Sequence, residues 1–374
     1  MHMKVAMLLL LCIGLLINCA RQSLRLSLQH TNANVKVLSG PVHQFHSPEE
    51  FHEILGQGRV QLVRKQHEGE VSTDFASQAD SMFMPSPFLN SRSKGTLKQL
   101  YLDDPSPALK KLWEKGEKYG KEGMAERARH VFYKAIRNTP KYFKNYTVFG
   151  RLLLDMGEYT EAIGALQRGI SLNDLDGEAH MLLGDAYLRQ RDYNKAAMSY
   201  LYAYMLNKVD KRVQHKLYFA LNLANLKLDT LGYVFPFVLE QTEPGHVTAI
   251  FARGMQQQWQ PFAECISCWK YDTDYRESML RGHLDTLNLT MYKECLMSQS
   301  FKWKQMLELN PSSLSDEAFR IYSAIKDKYI NAIVYWEFGW ASDPYSLYLI
   351  SEQERKNIMD YIKNYRLSGA GFRG

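Results

Sequence analysis

The sequence predicts an all-α solenoid of antiparallel helix pairs for the middle of the chain. Three glycines recur at an interval of 34 residues, at positions Gly116, Gly150 and Gly184. Three alanines recur at the same interval, at positions Ala128, Ala162 and Ala196. The chain is 45% hydrophobic and 23% charged, which is typical of a globular protein. A fixed period of this length indicates stacked helical hairpins.

The first nineteen residues have the composition of a targeting signal. A short basic start is followed by an almost wholly apolar run over residues 5–17. A helix of that length rises about 20 Å, less than the ~30 Å of a bilayer's hydrocarbon core, so a signal sequence fits better than a permanent span. The next residues resemble a bacterial lipobox with Cys19 as the lipidated residue, although Asn18 stands where a small residue is usual.

We therefore expect an exported protein that is anchored to a membrane through an N-terminal lipid or signal and faces the periplasm or the cell exterior. Secretion, or residence in the lumen of the endoplasmic reticulum, is the alternative. The formal net charge of +6 is mild for 374 residues. It does not demand a polyanion, and we expect no nucleic-acid partner.

Residues 20–105 are expected to form a flexible arm, since they mix Ser, Gln, Asn, His, Gly and Pro with scattered apolar residues. A short helix capped by Ser47 and a lone strand near Val63 are the local elements that the sequence favours. The alternative is that the apolar residues of the arm dock on a partner or back on the folded domain; they are Phe83, Phe88 and Leu89.

Residues 106–240 are expected to form the repeat domain. Large residues follow each repeat alanine by four positions: Phe132, Leu166 and Tyr200. Small residues follow three positions later: Ala135, Gly169 and Ala203. Small residues let paired helices approach, and large ones fill the groove between them. Pro140 ends the first repeat, whereas Asp174 and Lys208 stand at the corresponding later positions.

From about residue 109 to 210 the chain resembles the tetratricopeptide repeat superfamily. The resemblance implies a right-handed superhelix that binds proteins or peptides and is not a catalyst. It also implies that the first helix of each repeat lines a concave groove. The inward positions that we select as a peptide-binding groove are Lys110, Trp113, Lys144, Arg151, Met181, Asp185, Leu188, Arg212 and Phe219. The alternative is a solvated face without a ligand.

The groove combines apolar anchors with charges, which suits an extended or helical peptide. Some members of the superfamily clamp a C-terminal carboxylate with Lys and Asn at set inner positions. Trp113 and Glu117 occupy two of those positions here, which disfavours that specialised site.

Residues 241–374 are expected to be a degenerate repeat-like or helical domain. Degenerate repeats are suggested by Ala249–Tyr271 and Leu280–Pro311. Later helices are expected to begin after Ser315 and after Ser351, where Glu354 completes a capping box. The last helix is a candidate cap for the solenoid.

Three cysteines in this domain leave four interpretations open: Cys265, Cys268 and Cys295. Zinc needs about four ligands, and the nearby histidines are irregularly spaced. A redox CxxC pair needs a strand-to-helix context that the sequence lacks. A structural disulfide and buried free thiols are the remaining interpretations.

The sequence carries none of the common signatures of nucleotide, zinc-protease or serine-hydrolase sites, so we expect neither an enzyme nor a cofactor. The favoured function is a scaffold that helps to assemble a membrane-associated protein complex. One alternative is a metal- or thiol-dependent enzyme within residues 241–374. Another is an envelope protein that binds glycan or peptidoglycan through late aromatic residues such as Trp336 and Trp340.

Overall fold

The computed structural model describes residues 47–57, 61–67, 73–74, 87–94, 97–229, 234–243, 245–280, 289–339 and 346–369. The expected targeting segment, Cys19 and Phe83 lie outside these residues. Among the described residues, there is no helix with both the length and the apolar character that a membrane crossing requires.

Seven helices form the repeat region and confirm the predicted helix pairs. They are α2 (Pro107–Lys121), α3 (Ala125–Asn138), α4 (Phe143–Asp155), α5 (Tyr159–Leu172), α6 (Gly177–Arg189), α7 (Tyr193–Leu206) and α8 (Lys211–Leu223). Ser106 begins the array, because its hydroxyl accepts a hydrogen bond from the backbone N–H of Leu109 and Pro107 follows at the first helical position. The repeat region is all-α, as the sequence predicts.

The repeat glycines are required by close contact between the two helices of each pair. A Cβ atom on Gly116 would lie 2.4 Å from Phe132, and one on Gly184 would lie 2.5 Å from Tyr200. Gly150 meets Leu166 in the same way, at 2.6 Å. The aromatic or branched side chain of the second helix therefore occupies the space that a larger residue would need in the first helix.

The turn between paired helices also recurs every 34 residues. One residue adopts a positive φ angle in each turn: Gly123 (72°), Gly157 (80°), Arg191 (62°) and Asn225 (55°). The next backbone N–H reaches back to the helix in every case; the N–O distance is 2.8 Å from Leu226 to Leu221 and from Glu158 to Leu153. This is the Schellman arrangement, which satisfies carbonyls at a helix end.

The fourth pair is incomplete. Helix α8 ends with the same turn as its predecessors, but β5 (Lys227–Leu228) follows in place of a second helix. This strand pairs antiparallel with β9 (Leu367–Ser368) near the C-terminus. Gly369 continues the contact at φ 146°, where a Cβ atom would lie 2.1 Å from the carbonyl oxygen of Asn225.

The expectation of a flexible arm is wrong for the described residues that precede the repeats. They form α1 (Pro48–Gln57), β1 (Gln61–His67), β2 (Thr73–Asp74), β3 (Leu89–Lys94) and β4 (Leu97–Leu102). Ser47 caps α1 as predicted, since its hydroxyl accepts from the N–H of Glu50. Phe51 and Leu89 are buried in the core, and Phe88 packs against the first repeats. Burial of these apolar residues holds the segment on the folded domain.

A three-stranded sheet stands where worn helical repeats were expected. Strand β8 (His246–Ala252) lies between β1, which is parallel to it, and β7 (Phe237–Glu243), which is antiparallel. The short β6 (Val234–Phe235) pairs with β2. The expected repeat from Ala249 is therefore wrong at its start, because Val247, Thr248 and Ile250 favour an extended backbone.

The remaining helices follow this sheet in the chain and confirm two predicted starts. They are α9 (Gln256–Tyr271), α10 (Thr273–Leu280), α11 (Leu289–Leu309), α12 (Asp316–Lys326), α13 (Ile330–Ile333), α14 (Ser346–Leu349) and α15 (Glu352–Tyr361), with π-helical turns over Val334–Gly339 and Ile362–Arg366. Ser315 caps α12, and Ser351 with Glu354 forms the predicted capping box of α15. Helix α11 is one continuous helix where a worn pair was expected.

Two charged residues at the proline position of the repeats hold the C-terminal segment. Asp174 forms two hydrogen bonds with the buried Arg355, at 2.7 and 2.9 Å. Lys208 donates to the carbonyl oxygen of Trp336 at 2.7 Å, and its Nζ lies 3.7 Å from the centre of the indole ring. Burial lowers the pKa of Lys208 to about 8. The C-terminal segment thus supplies the partners that these substitutions need.

The cysteines are resolved in favour of a disulfide. Cys265 on α9 is bonded to Cys295 on α11, and their Cα atoms are 5.3 Å apart. Cys268 is a buried free thiol whose pKa is raised by burial, which suppresses the reactive thiolate. The disulfide closes a loop between two helices that also pack directly on one another.

We expect Gly157→Ala to lower the free energy of unfolding by about 1 kcal/mol, because an alanine at positive φ is strained. Gly164→Ala is the matched control in helix α5. No atom lies within 4 Å of a Cβ placed there, so the variant should raise the free energy of unfolding by about 0.5–1 kcal/mol. Urea titration of both variants measures the effects, and a change of the same sign in both contradicts the argument.

Arg355→Ala should lower the free energy of unfolding by about 3–5 kcal/mol, because Asp174 would lose its buried partner. The neighbouring Lys356 provides the control. It pairs with Glu352 at 2.6 Å with 59% of its side chain exposed, so Lys356→Ala should leave stability nearly unchanged. Equal effects of the two substitutions in thermal and urea unfolding would show that Arg355 does not anchor the segment.

Replacing Cys265 and Cys295 by serine should lower the free energy of unfolding by about 3–4 kcal/mol. The reason is that the bridge closes a loop of 30 residues in the unfolded chain. Under denaturing, non-reducing conditions, a thiol reagent should label Cys268 and neither of the other two. Mass spectrometry of tryptic peptides measures the labelling, and a bridge that includes Cys268 would contradict the assignment.

Candidate functional site

The first helices of the repeats line a concave groove, which contains two adjacent cavities that share Arg151. The first cavity, about 640 Å³, is walled by α2, α4, α6 and the start of α8. The second cavity, about 620 Å³, lies between α4, α6 and the later turns of α8. The predicted groove residues that line the first cavity are Lys110, Trp113, Lys144, Arg151, Met181 and Arg212. Those that line the second are Arg151, Asp185, Leu188 and Phe219.

Trp113 is part of the core between the first two repeats. Its side chain is buried, and its indole Nε1 donates to Oδ1 of Asn145 at 3.0 Å. Asn145 in turn donates to the carbonyl oxygen of Thr139 at 2.9 Å. The indole therefore forms a wall of the first cavity. Asn145 is itself fully buried.

Lys144 is buried in an ion-pair network, whereas a binding residue was expected. Its Nζ lies 3.0 Å from Oδ1 of Asp176 and 2.8 Å from Oε2 of Glu178. Asp176 also accepts from the hydroxyl of Thr147 at 2.6 Å. Burial lowers the pKa of Lys144. Its charge is matched within the protein, so its main contribution is to join the second repeat to the third.

Arg151 stands between the two cavities and belongs to the same network. Its guanidinium pairs with Glu178 and lies 4.0 Å from a carboxylate oxygen of Glu117. Its side chain is 41% exposed, so a ligand in either cavity can reach it. Lys110 and Arg212 are exposed at the rim, and Arg212 pairs with Asp210 at 2.8 Å.

The second cavity is apolar at its walls and basic at its rim. Leu182, Leu188 and Leu223 contribute to the walls, and Phe219 is 55% exposed beside them. Four basic side chains line it: Arg151, Arg189, Arg191 and Lys216. Two acidic side chains, Asp155 and Asp185, line it as well. The excess of positive charge favours a ligand with acidic groups.

Asp185 organises one side of this cavity. Its carboxylate accepts from the hydroxyl of Tyr200 and from Nζ of Lys216, each at 2.6 Å. Because Tyr200 is the large residue that packs on Gly184, the carboxylate position is set by the packing of the third repeat. Asp185 is therefore a fixed acceptor next to the exposed Arg189 and Arg191 at the rim.

Several residues of the two cavities are not among those predicted from the sequence. Arg189, Arg191 and Tyr193 come from the helix end and turn of the third repeat, and Lys216 comes from α8. Pro87 and Phe88 of the N-terminal segment and Tyr348 of α14 also line the first cavity. The 34-residue register points only to the inward positions of each first helix. Lys216 could have been predicted only because it lies about one helical turn before Phe219. It carries no signal for Phe88 or Tyr348.

The metal-site and glycan-site alternatives concern residues 241–374. No group of three metal-ligating side chains occurs in the part of the chain that is described. Trp336 and Phe338 are buried, and Phe338 stacks on Tyr292 at 4.3 Å between ring centres. Trp340 lies outside the described residues. The burial of Trp336 argues against the alternative in which it binds a glycan, because its ring packs inside the C-terminal domain.

Comparisons with known proteins agree with this architecture. A family model for the tetratricopeptide repeat matches residues 147–205, which span the second and third helix pairs. No curated protein sequence matches the chain significantly. Similar solved structures include the TPR2B domain of yeast Sti1 in a complex with pHsp70, at 16% identity over 31% of this chain and 98% of that one, with a TM-score of 0.29.

Two further structures are similar over different lengths. The TPR domain of Arabidopsis OM64 is 17% identical over 31% of this chain and 95% of that one, with a TM-score of 0.29. PilF of Pseudomonas aeruginosa is 12% identical over 68% of this chain and 88% of that one, with a TM-score of 0.28. The recurring glycine contacts and turns at 34-residue intervals agree with the family match over residues 147–205, so this part of the chain is built of tetratricopeptide repeats.

Proposed function

We propose that this protein is an exported, membrane-associated adaptor that binds a segment of a partner protein in its concave groove and helps to assemble an envelope complex. The observation that carries the binding role is the second cavity, where an exposed phenylalanine and leucine walls lie beside unpaired basic side chains. The membrane association rests on the apolar run over residues 5–17 and on the lipobox-like sequence around Cys19.

The chemistry of the second cavity defines the class of ligand. An apolar side chain of the ligand can remove Phe219 and the leucine walls from water, and this burial drives association. Arg189 and Arg191 are exposed at the rim, and no carboxylate pairs with them among the described residues. Acidic residues on either side of the anchor would neutralise these charges. The proposed ligand is therefore a short acidic segment with one bulky apolar residue.

The first cavity supports this function in a different way. Its central charges already pair with one another, as Lys144 with Asp176 and Arg151 with Glu178 show. Recognition there depends more on shape than on net charge. Met181 is half-buried on its wall and can adapt to different apolar groups. A ligand that crosses both cavities would pass over Arg151.

Selection of random twelve-residue peptides on the purified folded domain should enrich acidic peptides with a Phe or Leu anchor. Reversal of two rim charges in one variant, Arg189→Glu with Arg191→Glu, should weaken an enriched peptide by about tenfold, or 1.4 kcal/mol. Fluorescence anisotropy measures the affinity. Both side chains are exposed, so the melting temperature should not change.

The matched control reverses Lys134 and Arg137, which are exposed on α3 and line neither cavity. It should bind the enriched peptide as the native protein does. Enrichment of basic or uncharged peptides, or equal losses in the two variants, would contradict a basic apolar site.

A further inference from the structure

The net positive charge of the chain is concentrated at the start of the repeats. Residues 107–141, which contain the first helix pair, include ten Lys and Arg residues but only four Asp and Glu residues. The rest of the chain contains 36 residues of each kind, so the whole net charge of +6 comes from this one pair. An asymmetry of this size indicates an electrostatic role for the first pair.

Helix α2 carries three of these cations on one side. Lys111, Lys115 and Lys118 are exposed and follow one another at helical spacing. Trp113 is buried and contacts Asn145 of the second pair. Lys111 and Lys115 are each two residues from this tryptophan, or about 200° around the helix. The lysines therefore lie on the side of α2 that faces away from the second pair.

Helix α3 adds two cations on the same side of the array. Arg129 of this helix pairs with Glu161 of α5 and so faces the second pair. Arg127 is two residues from Arg129, or about 200° around the helix, and Lys134 follows Arg127 by two turns. Both are exposed. They therefore lie on the side of α3 that faces away from the second pair.

The two rows of cations form one surface. Gly116 of α2 packs against Phe132 of α3. Because these residues are neighbours in sequence of Lys115 and Lys134, the two rows run at the same level along the antiparallel helices. We call the five residues the end face: Lys111, Lys115, Lys118, Arg127 and Lys134. None of them lines either cavity, so the end face is separate from the proposed groove site.

Most of the charge of the end face is not neutralised within the protein. Lys118 lies 3.8 Å from Glu122, but the two side chains are 72% and 39% exposed, and such surface pairs bind weakly. Lys115 lies over an aromatic ring and Arg127 donates to a thioether sulfur, contacts that leave both charges in place. Lys111 and Lys134 form no ion pair with any residue that the structure describes.

The chemistry of the end face fits a lipid surface better than a protein. Interfaces between proteins have an apolar centre that carries most of the binding energy. The apolar residues beside the two rows are half-buried or buried, as Leu112, Tyr119 and Val131 show, so the end face offers no such centre. A second copy of the chain would bring like charges together. A bilayer with anionic headgroups needs no apolar centre, because clustered Lys and Arg side chains are attracted to its surface charge.

We infer that the end face rests on the surface of a bilayer that contains anionic phospholipids and thereby orients the array. The inference rests on the membrane association proposed above. The 29 residues between the apolar run and Ser47 can span about 100 Å at most, so the proposed anchor does not itself select the side of the domain that meets the membrane. A single acyl chain also binds only reversibly, and a basic surface supplies the second contact that stable attachment needs.

This orientation leaves the proposed groove site accessible. The second cavity lies between α4, α6 and α8, away from the first pair. With the first pair on the membrane, the later repeats extend away from the lipid. A partner protein in solution can then reach Phe219 and the basic rim while the scaffold stays attached.

Flotation with lipid vesicles tests the inference on the full chain. One kind of vesicle is phosphatidylcholine alone, and the other contains phosphatidylcholine and phosphatidylglycerol in equal amounts. The chain is compared in its native form and with the apolar run interrupted by Leu10→Asp and Leu15→Asp. The interrupted form should partition onto the anionic vesicles more strongly than onto the neutral ones by about tenfold or more. High salt should abolish this preference, because it screens exposed charges.

Reversal of three end-face charges in the interrupted form should abolish the preference for anionic lipid. The variant is Lys111→Glu with Lys118→Glu and Lys134→Glu, and its partition onto anionic vesicles should fall by about tenfold or more. All three side chains are exposed, so the melting temperature should not change. Binding of a groove peptide should also be unchanged.

The matched control reverses three exposed lysines of the C-terminal domain in the same background: Lys304, Lys326 and Lys356. It changes the net charge by the same amount and should bind anionic vesicles as the unreversed chain does. Equal losses in the two variants would overturn the inference, because they would reflect net charge alone. Equal partition onto neutral and anionic vesicles would also overturn it. Binding of polyglutamate in place of anionic vesicles would assign the end face to an acidic protein.

The proposed anchor is tested separately by the neutral vesicles. The native chain should bind them, and the interrupted form should not, because its apolar run contains two carboxylates. Absence of binding by the native chain would contradict the anchor and leave the result for the end face intact. Binding of the native chain to both kinds of vesicle, with no preference in the interrupted form, would support the anchor and overturn the end face.

Discussion

The ion pair between the half-buried Asp174 and the buried Arg355 joins the repeats to the C-terminal segment. The guanidinium of Arg355 is almost fully removed from water, so it would be strongly destabilising without this partner. Arg355 also donates to the carbonyl oxygens of Leu347 and Ile350, which fixes the preceding helix α14. That helix places Tyr348 in the wall of the first cavity. The C-terminal segment thus shapes the binding groove as well as stabilising the repeats.

Much of the repeat region could be predicted from the sequence because its packing is local. Gly150 and Leu166 lie in adjacent helices, and their spacing recurs in each pair. The C-terminal domain could not be predicted in this way. Arg355 and Asp174 are 181 residues apart in the chain, and β1 finds its partner β8 across the whole repeat region. Sequence periodicity contains no information about such distant contacts.

The candidate site was predicted in part for the same reason. The repeat register places all nine selected residues on the walls of the groove, but it does not show which charges are already matched. Lys144 is neutralised by Asp176 and Glu178, which come from the following repeat, and Trp113 is held by Asn145. The side chains that remain exposed in the second cavity include Arg189 and Arg191, which lie at a helix end and a turn.

Tyr218 follows Gly184 by 34 residues and so stands at the glycine position of the repeats, which has a consequence for the size of the array. Solenoids of this type lengthen in principle by duplication of one unit, because each unit contacts its neighbours alone. If a unit were duplicated after Leu226, its second helix would bring a large side chain against the ring of Tyr218. In the complete pairs, the corresponding side chain packs against a glycine. Growth of the scaffold at this point would need a simultaneous change of Tyr218 to glycine, so a single aromatic ring limits how many units the protein can acquire.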